Sequence, residues 1–149
     1  MTAKQLYSSS LGILEVECDG AALTALRFAT AADAAVSTNI PTNIQRWLDC
    51  YFSGSRTDYV PPLKLQGSVF QQRVWRELLA IPYGRTTTYG EIARRIGCRS
   101  AQAVGQAVGR NPIAVVVPCH RVVGADGTLT GYAYGLELKR RLLELEGRN

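Results

Sequence analysis

Five aliphatic residues, IAVVV at positions 113–117, run directly into Pro118. A short apolar run bounded by a proline is typical of a buried strand that ends where the proline begins. The next two residues are Cys119 and His120, and this histidine is the only one in a chain of 149 residues. The sequence therefore predicts a buried strand whose end presents a thiol beside an imidazole.

The overall composition is that of a globular protein with a sizeable core, at 46% hydrophobic and 19% charged residues. No apolar run is long enough to cross a bilayer, and the N-terminal MTAKQLYSSS lacks the hydrophobic segment of a signal peptide. We therefore expect a cytoplasmic protein, or a nuclear one in a eukaryote, that has no membrane partner and is a monomer.

The charge is distributed unevenly along the chain. Residues 1–65 contain five Lys/Arg and six Asp/Glu, whereas residues 66–149 contain twelve Lys/Arg and six Asp/Glu. The formal net charge of +5 thus belongs to the C-terminal half. Such a basic half favours a polyanionic partner, most commonly nucleic acid, and a solvated basic surface is the alternative interpretation.

The cysteines do not have the spacing of a metal site. The four of them are far apart, form no C-x-x-C pair and share the chain with a single histidine; they are Cys18, Cys50, Cys98 and Cys119. We predict no metal and no cofactor. A disulfide cannot be deduced from these spacings, and a cytosolic setting disfavours one.

The predicted fold class is α/β (α+β), with a small N-terminal α/β domain at residues 1–62. LGILEVEC alternates as a strand does, DG turns the chain, and ALTALRF returns as the second strand of a hairpin. NIQRWLDCYFSG has helical spacing. The proline-containing VPPLKLQ is predicted to be an extended linker, which places the domain boundary near Pro62.

Residues 63–149 are predicted to form a mainly helical domain. Ser68 with Gln71, and Thr88 with Glu91, have the spacing of capping boxes that begin two helices. The second of these helices is predicted to end at Gly97, and SAQAVGQAVG follows as a further helix. Two short helices joined by such a turn indicate a helix-turn-helix. The amphipathic GLELKRRLLELEG is predicted to be the last helix.

The helix after the turn contains Gly105 and Gly109, each of which weakens it by up to about 1 kcal/mol relative to alanine. One explanation is close packing against a neighbouring helix, and the other is close approach of the backbone to DNA phosphates. Ser100 would cap this helix and direct its amides toward a phosphate. Because only Gln102 and Gln106 could contact base edges, we expect binding to depend on phosphates and shape.

Glu146 lies in the last turn of the final helix, where the helix dipole disfavours a carboxylate. A partly positive imidazole beside Glu146 would make a carboxylate at this position more favourable. Cys119, His120 and Glu146 are thus predicted to be a nucleophile, its base and the group that orients the base. A buried structural cysteine is the alternative. Because neighbouring side chains of an extended chain point in opposite directions, we expect a water molecule to carry the proton between Cys119 and His120.

The motif PCHRVVG, with NP seven residues before its cysteine, resembles the active-site signature of the O6-alkylguanine-DNA alkyltransferases. The resemblance extends through FQQRVWRELLAIPYGRTTTYGEIA, AVG and GY…G…K…LLELEG, and so covers residues 66–149. It implies direct-reversal DNA repair, in which an alkyl group moves irreversibly and once from O6-alkylguanine in duplex DNA to a cysteine of the protein. O4-alkylthymine stays open as a second substrate.

The resemblance also implies residue roles. The implied partner is double-stranded DNA bearing an alkylated guanine, which is flipped out of the stack. The implied catalytic residues are Cys119, His120, Glu146, Asn111 and Tyr89. The implied substrate-binding residues are Val122, Tyr132, Ala133 and Tyr134. The implied DNA-binding residues are Ser100, Ala101, Gln102, Ala103, Gly105 and Arg121.

Two positions depart from the pattern of that family. Gln102 stands where an arginine commonly fills the gap left by the flipped base, and Tyr134 replaces a glycine near the pocket. Two other functions stay open. An alkyltransferase-like protein would sense damaged DNA without transferring anything, and a cysteine hydrolase would use the same three groups for repeated turnover.

Overall fold

The structure, a computed structural model, describes residues 4–29, 39–57 and 59–147. These residues form five strands and five α-helices, so the mixed α/β class predicted from the sequence is confirmed. The strands are β1 (Lys4–Ser9), β2 (Gly12–Asp19), β3 (Ala22–Phe28), β4 (Thr87–Thr88) and β5 (Val122–Val123). The helices are α1 (Thr42–Phe52), α2 (Val69–Leu79), α3 (Tyr89–Ile96), α4 (Ala101–Gly109) and α5 (Leu136–Leu145).

The chain divides into two compact units. The first contains the residues up to Leu65 together with Pro112–Val116, and the second contains Gln66–Asn111 and the residues from Val117 onward. The division into domains 1–62 and 63–149 stays a prediction. None of the helices in the described residues is both long enough and apolar enough to span a bilayer.

The first unit is built on an antiparallel sheet in the order β1-β2-β3. The predicted hairpin is present as β2 and β3, which are joined by Gly20 and Ala21, and Gly20 has the positive φ of 62° that such a turn favours. The predicted helix is present as α1. The side chain of Tyr7 in β1 donates a hydrogen bond of 2.7 Å to Asp49 in α1, which ties the sheet to the helix.

Strand β1 was not predicted from the sequence. Its buried face carries Tyr7 and also Gln5, a polar residue, so the alternation of apolar and polar side chains is broken. The amide oxygen of Gln5 accepts the backbone N–H of Asn39 at 2.9 Å. This hydrogen bond makes burial of the amide tolerable, because a buried polar group is costly only when it lacks a partner.

The aliphatic run at positions 113–117 is buried as predicted, but the prediction that it forms a strand is wrong. Only Ile113 pairs with a strand, in an isolated bridge to Leu26, and the following residues turn. Val115 has φ +71°, a left-handed conformation that a β-branched residue rarely adopts. Hydrophobicity alone reports burial and does not distinguish a strand from a buried turn.

The second unit begins with three short helices whose ends are fixed by local signals. Ser68 and Gln71 form the predicted capping box at α2. Thr88 caps α3 by accepting the backbone N–H of Glu91, whose carboxylate contacts Arg94 and Arg95 of the same helix. The left-handed Gly97 ends α3, as predicted.

Helix α4 completes the predicted helix-turn-helix. Ser100 caps it by accepting the backbone N–H of Ala103 at 3.0 Å. The indole of Trp75 in α2 donates a 2.8 Å hydrogen bond to the carbonyl of Ala107, which anchors the far end of α4. The later part of the unit contains the parallel pair β4-β5 and the final helix α5, which ends before Gly147 as predicted.

Candidate functional site

The chain forms a single turn of 3-10 helix at Cys119–Arg121, directly after Pro118 and before β5. All three side chains of this turn are buried. The expectation that Cys119 and His120 lie on extended chain is therefore wrong, because a tight turn directs successive side chains differently from a strand. The alternation of side chains along a strand therefore gives no reason for a water molecule between Cys119 and His120.

The carboxylate of Glu146 lies just after α5 and is the centre of a buried polar cluster. His120 Nε2 is 2.6 Å from one of its oxygens. The guanidinium of Arg121 donates to both oxygens, at 2.8 and 3.1 Å, and the backbone N–H of Gly84 donates at 3.1 Å. The predicted proximity of Glu146 to His120 is thus present.

Arg121 was predicted to contact DNA, and its position does not fit that role. The side chain is buried. Besides its ion pair with Glu146, it donates a 2.7 Å hydrogen bond to the carbonyl of Ile81. Its guanidinium also lies 5.7 Å from the ring centre of Tyr83. Sequence reasoning assigns an arginine to solvent or to phosphate by default, so it missed this internal role.

The cluster controls the protonation of its members. Burial by itself would raise the pKa of Glu146, but the hydrogen bonds and charges of His120 and Arg121 outweigh it and lower the pKa to about 2. Burial lowers the pKa of His120, and its hydrogen bond to Glu146 only partly compensates. The hydrogen bond from His120 and the permanent cation of Arg121 together keep Glu146 ionised at neutral pH, where the imidazole itself is neutral.

The thiol of Cys119 faces a cavity of about 190 Å³ within the second unit. The lining residues are Tyr89, Gly105, Val108, Gly109, Asn111, Cys119, Gly131, Tyr132, Ala133 and Tyr134. Three of the four predicted substrate-binding residues are among them. Val122 is not, because it is fully buried in β5 and pairs with Thr87.

Two aromatic residues shape the wall of this cavity. The rings of Tyr132 and Tyr134 contact each other edge to face, with centroids 5.5 Å apart. Burial raises the pKa of Tyr132 well above its usual value. Tyr134 therefore packs against Tyr132, and both residues line the cavity.

Asn111 and Tyr89 hold the elements around the thiol. The Asn111 side chain, which follows α4, donates a 2.7 Å hydrogen bond to the carbonyl of Val117, just before the Cys119 turn. The Tyr89 hydroxyl donates to the carbonyl of Thr130 at 3.2 Å, and burial raises its pKa. Burial also raises the pKa of the Cys119 thiol, while the hydrogen bond from Asn111 lowers it.

The N-terminal turn of α4 is open to solvent. Ser100, Ala101 and Gln102 are exposed, and Ala103 is partly exposed. Gly105 lines the cavity, where an added methyl group would lie 3.8 Å from the ring of Tyr89, whereas one at Gly109 would meet nothing within 4 Å. Packing against a neighbouring helix, one of the two explanations for these glycines, therefore accounts for neither of them.

A buried lysine is the main feature of this site that sequence reasoning missed. Lys139 in α5 has no exposed surface, and its ammonium group hydrogen-bonds to the carbonyls of Thr130 and Gly131. The helical period could have shown that position 139 shares a face with Leu142 and Leu143. In the part of the chain that the structure describes, no three His, Cys, Asp or Glu side chains meet as a metal site.

Comparisons with known proteins agree with this geometry. A family model described as "6-O-methylguanine DNA methyltransferase, DNA binding domain" matches residues 69–148. Proteins named methylated-DNA–protein-cysteine methyltransferase are 59% identical over 100 residues in Mycobacterium bovis and 54% identical over 103 residues in Methanosarcina acetivorans. These alignments cover 66% and 68% of this chain, but only 61% and 66% of the relatives' own length.

Solved structures extend the similarity to nearly the whole chain. The crystal structure of the Mycobacterium tuberculosis O6-methylguanine methyltransferase has a TM-score of 0.88 at 44% identity, covering 98% of this chain and 93% of that one. A structure described as Mycobacterium tuberculosis OGT in complex with DNA has the same TM-score at 46% identity, covering 96% and 91% of the two chains.

Proposed function

This chain belongs to the 6-O-methylguanine DNA methyltransferase family, and from that premise we propose that it repairs alkylated DNA by moving the alkyl group to its own Cys119. The substrate is O6-alkylguanine in duplex DNA. The observation that carries this proposal is the thiol of Cys119 facing a cavity, next in sequence to a buried His120 that contacts Glu146.

His120 is the base in this proposal. Glu146 is ionised and can only accept a hydrogen bond, so the 2.6 Å contact requires the proton to lie on Nε2 of a neutral imidazole. Nδ1 is then the nitrogen that accepts a proton from the Cys119 thiol, directly or through water. The lowered pKa of His120 keeps the ring neutral, and therefore basic, at neutral pH.

The transfer is a single displacement at carbon. The thiolate sulfur forms a bond to the alkyl carbon, the bond from that carbon to O6 breaks, and its electron pair stays on the guanine. The Tyr89 hydroxyl, kept protonated by its raised pKa, can then donate to the departing base. The product is a thioether, which water and ordinary thiols do not cleave, so each molecule reacts once.

The exposed start of α4 supports DNA binding through the helix-turn-helix. Ser100 caps the helix, and its first amides are available to a phosphate. The basic charge of residues 66–149 adds attraction that does not depend on sequence. Because the reacting atom of guanine is hidden in the base stack, the base must be flipped out to reach Cys119.

Intact-mass spectrometry after incubation with an O6-methylguanine duplex tests the proposal. We expect a gain of one methylene per protein molecule, mapped to Cys119, and no gain with the Cys119→Ser variant, which still binds the duplex. Tight binding without any mass change would indicate a damage sensor. Demethylation of many duplexes per protein molecule would indicate a hydrolase, and either outcome would overturn the proposal.

A further inference from the structure

Lys139 is a buried cation that binds the segment lining the cavity of Cys119. Its side chain has no exposed surface, and its Nζ atom lies 2.8 Å from the carbonyl oxygen of Thr130 and 3.1 Å from that of Gly131. Carbonyl groups are neutral, so these contacts satisfy the hydrogen bonds of the ammonium group without balancing its charge. A buried charge without an opposite charge is costly.

The charges around this ammonium group identify its counter-ion. Among the described residues no ion pair joins Lys139 to a carboxylate, and the buried carboxylate of Glu146 is already paired with Arg121 and His120. Burial lowers the pKa of Lys139 to about 8, and the one charge that opposes this effect is that of Cys119. Conversely, Lys139 lowers the pKa of the Cys119 thiol.

The same ammonium group holds part of the cavity wall. We call residues 130–134 the pocket loop; its members Gly131, Tyr132, Ala133 and Tyr134 line the cavity. The Thr130 carbonyl accepts hydrogen bonds from both Lys139 and Tyr89, which lie on different helices. The ammonium group thus fastens the start of the pocket loop to α5.

We propose that Lys139 is a positioning residue: its ammonium group is the counter-ion of the Cys119 thiolate and fixes the pocket loop beside it. This inference rests on the proposed function for its purpose, because a thiolate matters only if Cys119 attacks the substrate. The electrostatic role does not require DNA, since the charge acts on the thiol in the free protein.

Other titratable groups near the thiol cannot replace this charge. Tyr89 and Tyr132, on α3 and the pocket loop, are neutral at neutral pH because burial raises the pKa of each hydroxyl. His120 is neutral because burial lowers its pKa. Arg121 is a permanent cation, but its guanidinium is bound to Glu146. Removal of the Lys139 charge should therefore raise the pKa of the thiol.

The test measures how fast iodoacetamide alkylates Cys119 as a function of pH, by peptide mass spectrometry. Lys139→Gln removes the charge and keeps an amide donor for the loop carbonyls. We expect its rate profile to move to higher pH by about one unit, so that alkylation near neutral pH slows about tenfold. Arg141→Gln, which removes an exposed cation from the same helix, should leave the profile in place.

Two partly exposed cysteines serve as internal controls, because alkylation of Cys50 and Cys98 should be the same in wild type and variant. A lower rate at every pH without a shift of the profile would mean that Lys139 acts only on packing, and would overturn the counter-ion role. An unchanged profile and rate would overturn the whole inference.

A reciprocal measurement avoids changing Lys139, in case that variant does not fold. In Cys119→Ser the thiolate is absent, so the pKa of Lys139, followed through its Cε resonance by NMR, should fall below its value in wild type. An identical lysine pKa in the two proteins would overturn the counter-ion role. A shifted thiol profile in a protein that accepts no methyl group from DNA would overturn the proposed function and support this inference.

Discussion

Lys139 and Arg140 are neighbours on α5, and their surroundings are opposite. Arg140 is half exposed and contacts two carboxylates of its own helix, Glu137 and Glu144. Lys139 is fully buried, and within the described residues its ammonium group binds two carbonyl groups and forms no ion pair with a carboxylate. Arg140 forms more ion pairs than Lys139, but water screens them, so they contribute little to the stability of the protein. Lys139 is screened much less, so its charge is the one that can affect the reactivity of Cys119.

The same contrast separates two glutamates at the end of this helix. Glu144 is exposed and contacts Arg140, whereas Glu146 is buried and accepts hydrogen bonds from Arg121 and Gly84. Both form ion pairs with an arginine. Only the buried pair excludes water, so only there does loss of one partner leave a desolvated charge behind.

The largest expected effect is that of Glu146→Gln. It leaves the guanidinium of Arg121 buried without its anion, so we expect the free energy of unfolding to fall by about 3–5 kcal/mol. The imidazole of His120 also loses the carboxylate that orients it, and methyl transfer should slow by about a hundredfold or more. Denaturant unfolding and single-turnover kinetics measure the two effects.

Glu144→Gln is the matched control, since it makes the same change on the exposed face of the same helix. Its unfolding curve and transfer rate should be indistinguishable from those of wild type. Comparable losses in the two variants would show that burial does not determine the importance of these ion pairs.

The buried carboxylate of Glu146 should also make the stability of the protein depend on pH, with a smaller effect than that of Glu146→Gln. The folded-state pKa of Glu146 is about 2, below its usual 4.5, so its contribution is present above pH 4.5 and is lost as the pH falls toward 2. A pKa difference of this size corresponds to about 3 kcal/mol in the free energy of unfolding. Wild type should lose this stability on acidification, whereas Glu146→Gln, already less stable, should lose less over the same range.

Helix boundaries could be predicted from the sequence because their signals are local. Ser68, Thr88 and Ser100 each accept a backbone N–H three residues away, and Gly97 ends α3 through its own conformation. By contrast, β1 has a buried Gln5 whose hydrogen-bond partner, Asn39, is distant in sequence, and no local signal marks the left-handed turn at Val115. Their local residues gave either a broken pattern or a misleading one.

The contact between His120 and Glu146 could also be predicted, whereas the cations around it could not. A cysteine next to the only histidine is visible in the sequence, and the carboxylate at the dipole-disfavoured end of α5 is a further signal. No local signal distinguishes Arg121 from the exposed Arg140, and only the helical period, which places position 139 on the face of Leu142 and Leu143, distinguishes Lys139. Burial of a cation depends on the carbonyls and carboxylates that the fold brings to it, such as those of Ile81 and Glu146.

The smallest expected effect belongs to an exposed residue of α4. Gln102 is exposed, so Gln102→Arg should leave the unfolding curve almost unchanged. We nevertheless expect it to speed the repair of duplex DNA, by no more than about tenfold. A side chain that fills the gap of a flipped base must offset a few kcal/mol of lost stacking. An arginine does so better than a glutamine, because its planar cation stacks on bases and is attracted to the phosphates.

Gln106→Arg separates this effect from a general gain in charge, because Gln106 is a second exposed glutamine of the same helix. Added charge alone should strengthen DNA binding in both variants and leave the rate at saturating duplex unchanged. Insertion into the stack should raise that rate only for Gln102→Arg, and neither variant should change the reaction with free O6-alkylguanine, which needs no flipping. Equal acceleration by both variants, or acceleration with the free base, would show that position 102 does not act on the flipped-out base.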